Sequence, residues 1–221
     1  MKAKLRRGLY AVTAPPRDGD LIAAAAAALR GGASTLQYRD KGGDRTRRRE
    51  EAAALAALCR RHNALFIVND DTELAREVGA GGVHLGRDDG AVAAARRVVG
   101  EEAVIGVSCY ADLARAERAA AEGADYLAFG SLFPSATKPD AVRAPLDLPA
   151  EARRRTGLPV VGIGGIDADN IGRVAAAGID AAAVISALFG ADDVEAAARQ
   201  LTAAFGSPIC SHDNQGVDHA S

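Results

Sequence analysis

The chain has 221 residues, of which 48% are apolar and 25% charged, a composition that suits an ordinary hydrophobic core. Lys plus Arg number 27 against 29 Asp plus Glu, for a net charge of −2. That balance gives neither the basic footprint of a nucleic-acid binder nor an acidic disordered tract, and 4% aromatic residues without Trp offer no stacking platform for single strands. The longest uncharged apolar run, 21–29, is mostly alanine and far short of the roughly 20 residues a membrane span requires. The basic start MKAKLRR is followed by a stretch that proline breaks too early for a secretory h-region. Cys59, Cys109 and Cys210 are odd in number and widely spaced, which fits a reducing compartment and argues against both a disulfide framework and a zinc site. A cytoplasmic protein with no membrane or nucleic-acid partner is expected.

In chain order, short β-branched runs at 9–13, 34–38, 65–68, 83–85, 104–107, 126–129, 160–163 and 182–185 read as strands. Alanine-rich helical segments follow them at 20–30, 46–61, 71–78, 89–99, 111–121, 147–156, 168–177 and 191–205. Gly31, Gly79, Gly123 and Gly178 stand just after helices, where a left-handed residue is favoured. Eight strand–helix units over 1–206 predict an α/β fold, a single-domain (β/α)8 TIM barrel. An open doubly wound sheet is the rival, but Ala14-Pro15-Pro16 after the first strand is no glycine-rich phosphate loop. The remaining 207–221 lacks periodicity and reads as a disordered tail, in which His212, Asp213 and His219 have nothing rigid to organise them as metal ligands.

In such a barrel the chemistry belongs at the C-terminal ends of the strands. After the second strand come Gln37, Tyr38, Arg39, Asp40 and Lys41. Alternation puts Gln37 and Arg39 on one face, with Lys41 able to join them, a set suited to an anion attached to a polar ring. A solvated loop leading into the basic helix start is the other reading. Asn69-Asp70-Asp71 follows the third strand and Arg87-Asp88-Asp89 the fourth. Each contains a helix N-cap signal, and together they would also bring two carboxylates to a Mg2+–diphosphate site. Ser108 ends the fifth strand without an adjacent base, so it reads as a hydrogen-bonding group, and Cys109 as a core residue. The long loop 130–145 carries Ser135, Ala136, Thr137 and Lys138, two hydroxyls and a cation that could clamp an anion. Gly162-Ile163-Gly164-Gly165-Ile166 and Val184-Ile185-Ser186 offer a glycine turn and a helix start, the usual phosphate site of these barrels. His84 alternates away from Val83 and Leu85 and reads as a hydrogen-bonded interior histidine before a catalytic base.

The motifs LQYRDK (36–41), FIVNDD (66–71), GVHLGRDD (82–89), GVS (106–108), PSATK (134–138), GIGGI (162–166) and VIS (184–186) closely resemble thiamine-phosphate synthase, in barrel order over about nine tenths of the chain. The resemblance implies an enzyme that joins hydroxymethylpyrimidine diphosphate to a thiazole phosphate and releases diphosphate. By position it implies Gln37, Tyr38, Arg39, Asp40, Lys41, Asn69, Ser108 and Lys138 around the pyrimidine diphosphate. Asp70 and Asp89 would hold Mg2+, and Ser135, Ala136, Thr137, Gly165, Ile185 and Ser186 the thiazole phosphate. Arg39, Lys41, Ser108 and Lys138 would carry the catalysis, with no covalent nucleophile or general base. The implied route is dissociative, with roughly +5 of formal charge from Arg39, Lys41, Lys138 and Mg2+ facing about −3 on diphosphate. Ser135 stands where the family usually has Thr, and Cys109-Tyr110 where it usually has Ala/Thr-His. A thiazole tautomerase shares the barrel but would want a histidine near 109–110, and a noncatalytic phosphometabolite binder would have no use for the leaving-group set.

Overall fold

The structure, a computed structural model, describes residues 4–15, 19–87, 90–134 and 142–206. Eight parallel strands close into a barrel in sequence order: β1 (Gly8–Val12), β2 (Thr35–Tyr38), β3 (Leu65–Asn69), β4 (Gly82–Leu85), β5 (Val104–Tyr110), β6 (Tyr126–Phe129), β7 (Val160–Ile163) and β8 (Ala181–Val184). The seam is β1 against β8, with Leu9 opposite Ala182. The helices are α1 (Leu21–Arg30), α2 (Arg45–Arg61), α3 (Thr72–Glu77), α4 (Val92–Val99), α5 (Leu113–Ala121), α6 (Leu148–Thr156), α7 (Ile171–Ala176), α8 (Ser186–Phe189) and α9 (Val194–Gly206). The single-turn α8 supplements the expected eight and begins directly after β8, where barrels of this class often place a short extra helix. No helix among the described residues is long and apolar enough to cross a membrane.

The period-two alternation of each strand divides the interior in two. Leu9, Ala11, Leu36, Tyr38, Val68, Val83, Leu85, Ile105, Val107 and Leu127 pack outward beneath the helices. Tyr10, Val12, Leu65, Ile67, Val104, Tyr126, Ala128, Val161, Ala181 and Ala183 fill the barrel itself. Small residues let α1 and α9 approach closely. A Cβ on Gly31 would lie 2.3 Å from the Ala198 Cβ. Gly31 is therefore required for this contact and keeps right-handed backbone at φ −74°; the left-handed residue is Gly32, at φ 105°. That corrects the expectation for Gly31, whereas Gly79, Gly123 and Gly178 all have positive φ.

Ion pairs tie down the opposite, N-terminal end of the barrel. Asp125 accepts from Arg96 at 2.7 Å and from the Ile105 backbone at 2.8 Å, both partly buried, fixing the entry of β5. Asp180 does the same for β7, accepting from the Val160 N–H at 2.9 Å. These carboxylates serve stability and leave the C-terminal rim to the chemistry.

Candidate active site

At the rim, Gln37 turns inward from β2 and is buried, with Nε2 donating to the Tyr10 hydroxyl at 2.8 Å. Arg39 follows on the same face, and its backbone is anchored by Thr13: the Arg39 N–H donates to Thr13 Oγ1 at 2.9 Å, and the Thr13 N–H donates to the Gln37 carbonyl at 2.9 Å. Thr13 is a positioning residue that the sequence did not single out. Lys41 is exposed beyond the sheet. Tyr38 and Asp40 face the other way, toward α2. The Tyr38 hydroxyl donates to Glu51 at 2.6 Å, and burial together with that carboxylate raises its pKa far above the ordinary phenol range. Asp40 pairs with Arg47 and accepts from the Gly42 N–H at 2.7 Å. Partial burial would raise the Asp40 pKa, but the Gly42 N–H and the Arg47 guanidinium hold it below the usual carboxylate value. These contacts brace the loop that carries Arg39 and Lys41.

The run Asn69-Asp70-Asp71 separates into three roles. Asn69 is the last residue of β3, paired in register with His84. Asp71 is the N-cap of α3, accepting from the Leu74 N–H at 2.9 Å, and it also pairs with Arg48 at 3.1 Å. Asp70 has left-handed backbone at φ 64°, and its N–H donates to the His84 carbonyl at 2.8 Å. Asn63 and Tyr110 share this left-handed backbone, which Asp and Asn tolerate better than most residues. Capping therefore accounts for Asp71 and does not account for Asp70. At the next helix start, Ala91 is the N-cap residue of α4. Asp88 and Asp89 themselves lie outside the described residues, as do Ser135, Ala136, Thr137 and Lys138.

Ser108 faces inward near the end of β5, and its Oγ is 2.9 Å from Nε2 of His84. Arg115 on α5 holds this edge together, donating to the Ser108 carbonyl at 2.7 Å and to the Gly86 carbonyl at 2.8 Å. Cys109 points outward into the helix-facing core, and burial pushes its thiol up to about 12, which leaves no reactive thiolate. Tyr110 is exposed between Arg87, 4.7 Å from its ring, and Arg115, 6.0 Å away.

Across the mouth the rim changes material. Gly164 and Gly165 have φ 99° and 64°, and a Cβ on Gly165 would come within 2.2 Å of the Pro134 carbonyl oxygen. Backbone bonds from Leu132 to Ile163 and from Phe133 to Gly164, both 3.0 Å, strap the first part of the 130–145 loop to this turn. Asn170 Nδ2 holds the Gly165 carbonyl at 2.9 Å. Ile185 then leads into Ser186 at the start of α8. The strand order puts β3 and β4 across the barrel from β7 and β8.

A closed parallel barrel with polar side chains on one arc of its C-terminal rim and a glycine turn on the other has the layout of a (β/α)8-barrel enzyme. A family model described as thiamine monophosphate synthase matches residues 9–188, and the chain belongs to that family. It is 52% identical over 203 residues to a thiamine-phosphate synthase of Methylococcus capsulatus, covering 91% of each chain, and 66% identical over 146 residues to one of Halorhodospira halophila, covering 66% of this chain and 70% of that one. A solved thiamine phosphate pyrophosphorylase of Pyrococcus furiosus superimposes with a TM-score of 0.82 at 36% identity, covering 90% of this chain and 95% of that one.

Proposed function

We propose that this protein is a thiamine-phosphate synthase that condenses hydroxymethylpyrimidine diphosphate with a thiazole phosphate, releasing diphosphate, in the cytoplasm. The observation that carries the reading is the arc of Gln37, Arg39, Asn69, Asp70 and Ser108 at the ends of β2, β3 and β5, across the barrel from the glycine turn after β7. Two substrates that each carry phosphate call for two such sites on one mouth.

Oxygen donors suit a hard divalent cation, and Mg2+ is commonly held by one or two carboxylates together with substrate phosphates. Asp70 fits that role as a carboxylate immediately beyond the end of β3, next to the N-cap of α3, and Asp89 is the second ligand implied by position. Mg2+ bound there would neutralise charge on the departing diphosphate. The chain's own residues do the rest. Arg39, Lys41 and Lys138 stabilise the negative charge that grows on the leaving group as the pyrimidine's exocyclic C–O bond breaks. Gln37, Asn69 and Ser108 hold the pyrimidine ring, whose amine feeds electrons toward the carbon left behind. Ser135, Ala136, Thr137, Gly165, Ile185 and Ser186 hold the thiazole phosphate so that its ring nitrogen stands in line for attack. Tyr38 and Asp40 act from behind, keeping the 39–41 loop at the mouth. No step requires a side chain to accept a proton.

The test is incubation of purified protein with both substrates, with and without Mg2+. Thiamine phosphate and diphosphate in equal amounts, formed only with the metal, are expected. Absence of product under both conditions would overturn the assignment.

A further inference from the structure

An unbroken line of polar groups crosses the barrel beneath the mouth. Gln37 Nε2 donates to the Tyr10 hydroxyl at 2.8 Å, and the Tyr10 and Tyr126 hydroxyls are 2.8 Å apart. The Tyr126 hydroxyl is 2.9 Å from Nδ1 of His84, whose Nε2 is 2.9 Å from Ser108 Oγ. The line runs from β2 through β1, β6 and β4 to β5. The chemistry proposed above uses only its two ends. Its middle is rigidly made. Tyr126 is fully buried in a slot that exists because residue 106 is glycine, where a Cβ would come within 1.9 Å of the tyrosine Cζ. The His84 ring stacks on Tyr126 with centroids 5.6 Å apart and planes 26° from parallel.

Proton accounting gives this line a direction. A hydroxyl has one proton to donate, and a neutral imidazole has one N–H. Tyr10 receives the Gln37 N–H, and among the described residues the one acceptor bonded to its hydroxyl for its own proton is the Tyr126 oxygen. The Tyr126 proton then goes to Nδ1 of His84, which leaves the histidine proton on Nε2, directed at Ser108 Oγ. With its oxygen accepting from His84, Ser108 keeps its own proton for the mouth. We propose that His84 and Tyr126 are positioning residues that fix Ser108 as an outward hydrogen-bond donor, matched to an acceptor nitrogen of a heteroaromatic ring. The inference rests on the functional reading above for the identity of that ring, the pyrimidine. Reversal of the chain would set a serine lone pair against the ring nitrogen's own, and a mismatch of that kind lowers affinity roughly 10- to 100-fold.

The test begins with full-length protein containing [15N]histidine and no substrate, with the His84 signals assigned by their loss in His84→Asn. A protonated Nε2 and a bare Nδ1 are expected. In Tyr126→Phe the second tautomer should become populated, and KM for the pyrimidine diphosphate should rise roughly tenfold with KM for the thiazole phosphate unchanged. Tyr10→Phe, equally buried but one step further from Ser108, should perturb both readouts less, an ordering that a purely space-filling role would not produce. A resting Nδ1–H tautomer overturns the proposal, as does a Tyr126→Phe enzyme with unaltered tautomer and pyrimidine KM. Should Tyr126→Phe fail to fold, the Ser108→Ala/His84→Asn pair decides: losses that fail to add support the coupling, and additive losses refute it. A protein with no synthase activity would refute the functional reading, while the tautomer would still be measurable.

Discussion

Along β2 to β5 the rim is made of side chains braced by other side chains, whereas along β7 and β8 it is made of backbone. On the first arc Thr13 anchors Arg39, Glu51 and Arg47 hold Tyr38 and Asp40, and Arg115 ties Ser108 to Gly86. On the second, Gly164 and Gly165 adopt left-handed backbone and lie so close to 131–134 that no side chain fits between. The two constructions suit two tasks. Stabilising a leaving group demands charges whose identity and placement matter, and side chains supply them. Gripping a phosphate that does not react demands close approach and N–H groups, which a glycine turn supplies without formal charge.

If that division is right, substitutions on the two arcs should separate kinetically. Asp70→Ala should have the largest effect, a roughly 100-fold loss of diphosphate release at limiting Mg2+ that is partly regained at high Mg2+. An unchanged metal requirement would remove it as a ligand. Arg39→Ala should lower kcat roughly 10- to 100-fold while leaving KM for the thiazole phosphate alone, as measured by steady-state kinetics in both substrates. Ser186→Ala should raise that KM by about tenfold and leave pyrimidine KM unaltered; equal effects on both would mean that the arcs are not independent. Asp71→Ala, one residue from Asp70, should cost about 1 kcal/mol of stability by denaturant titration through the lost cap and leave the metal requirement intact. Removing 207–221 should change neither activity nor stability, since the barrel and its family match are complete before that point.

The strands were legible because each is a short β-branched or apolar run bounded by turn residues, and every one lies within a residue or two of its expected limits, apart from the longer end of β5. The rim was legible too, because alternation fixes which of Gln37 and Tyr38 turns inward. Other features were not. Asp70 and Asp71 are identical in composition and adjacent, and only the backbone angle of the one and the Leu74 N–H bond to the other tell the strand-end residue from the cap. Gly31 follows a helix as a C-terminal glycine should, but packing against Ala198, a partner 167 positions away, is what demands it. Tyr10 and Tyr126 sit in apolar strands and read as core. Their phase with the inward residues of the same strands, together with a glycine in neighbouring β5, was the available signal.

The seam of the barrel has a consequence for engineering. Beside it, the Arg7 guanidinium lies 5.1 Å over the Phe205 ring, and α9 packs on both α1 and β1. Because residues so far apart in sequence already touch there, a short linker could join position 206 to position 4 and fresh ends could be cut at Gly157, an exposed turn between α6 and β7, away from the mouth, where a Cβ would meet nothing within 4 Å. The ring has no structural need to be read from β1, and a circularly permuted barrel should retain both halves of its mouth.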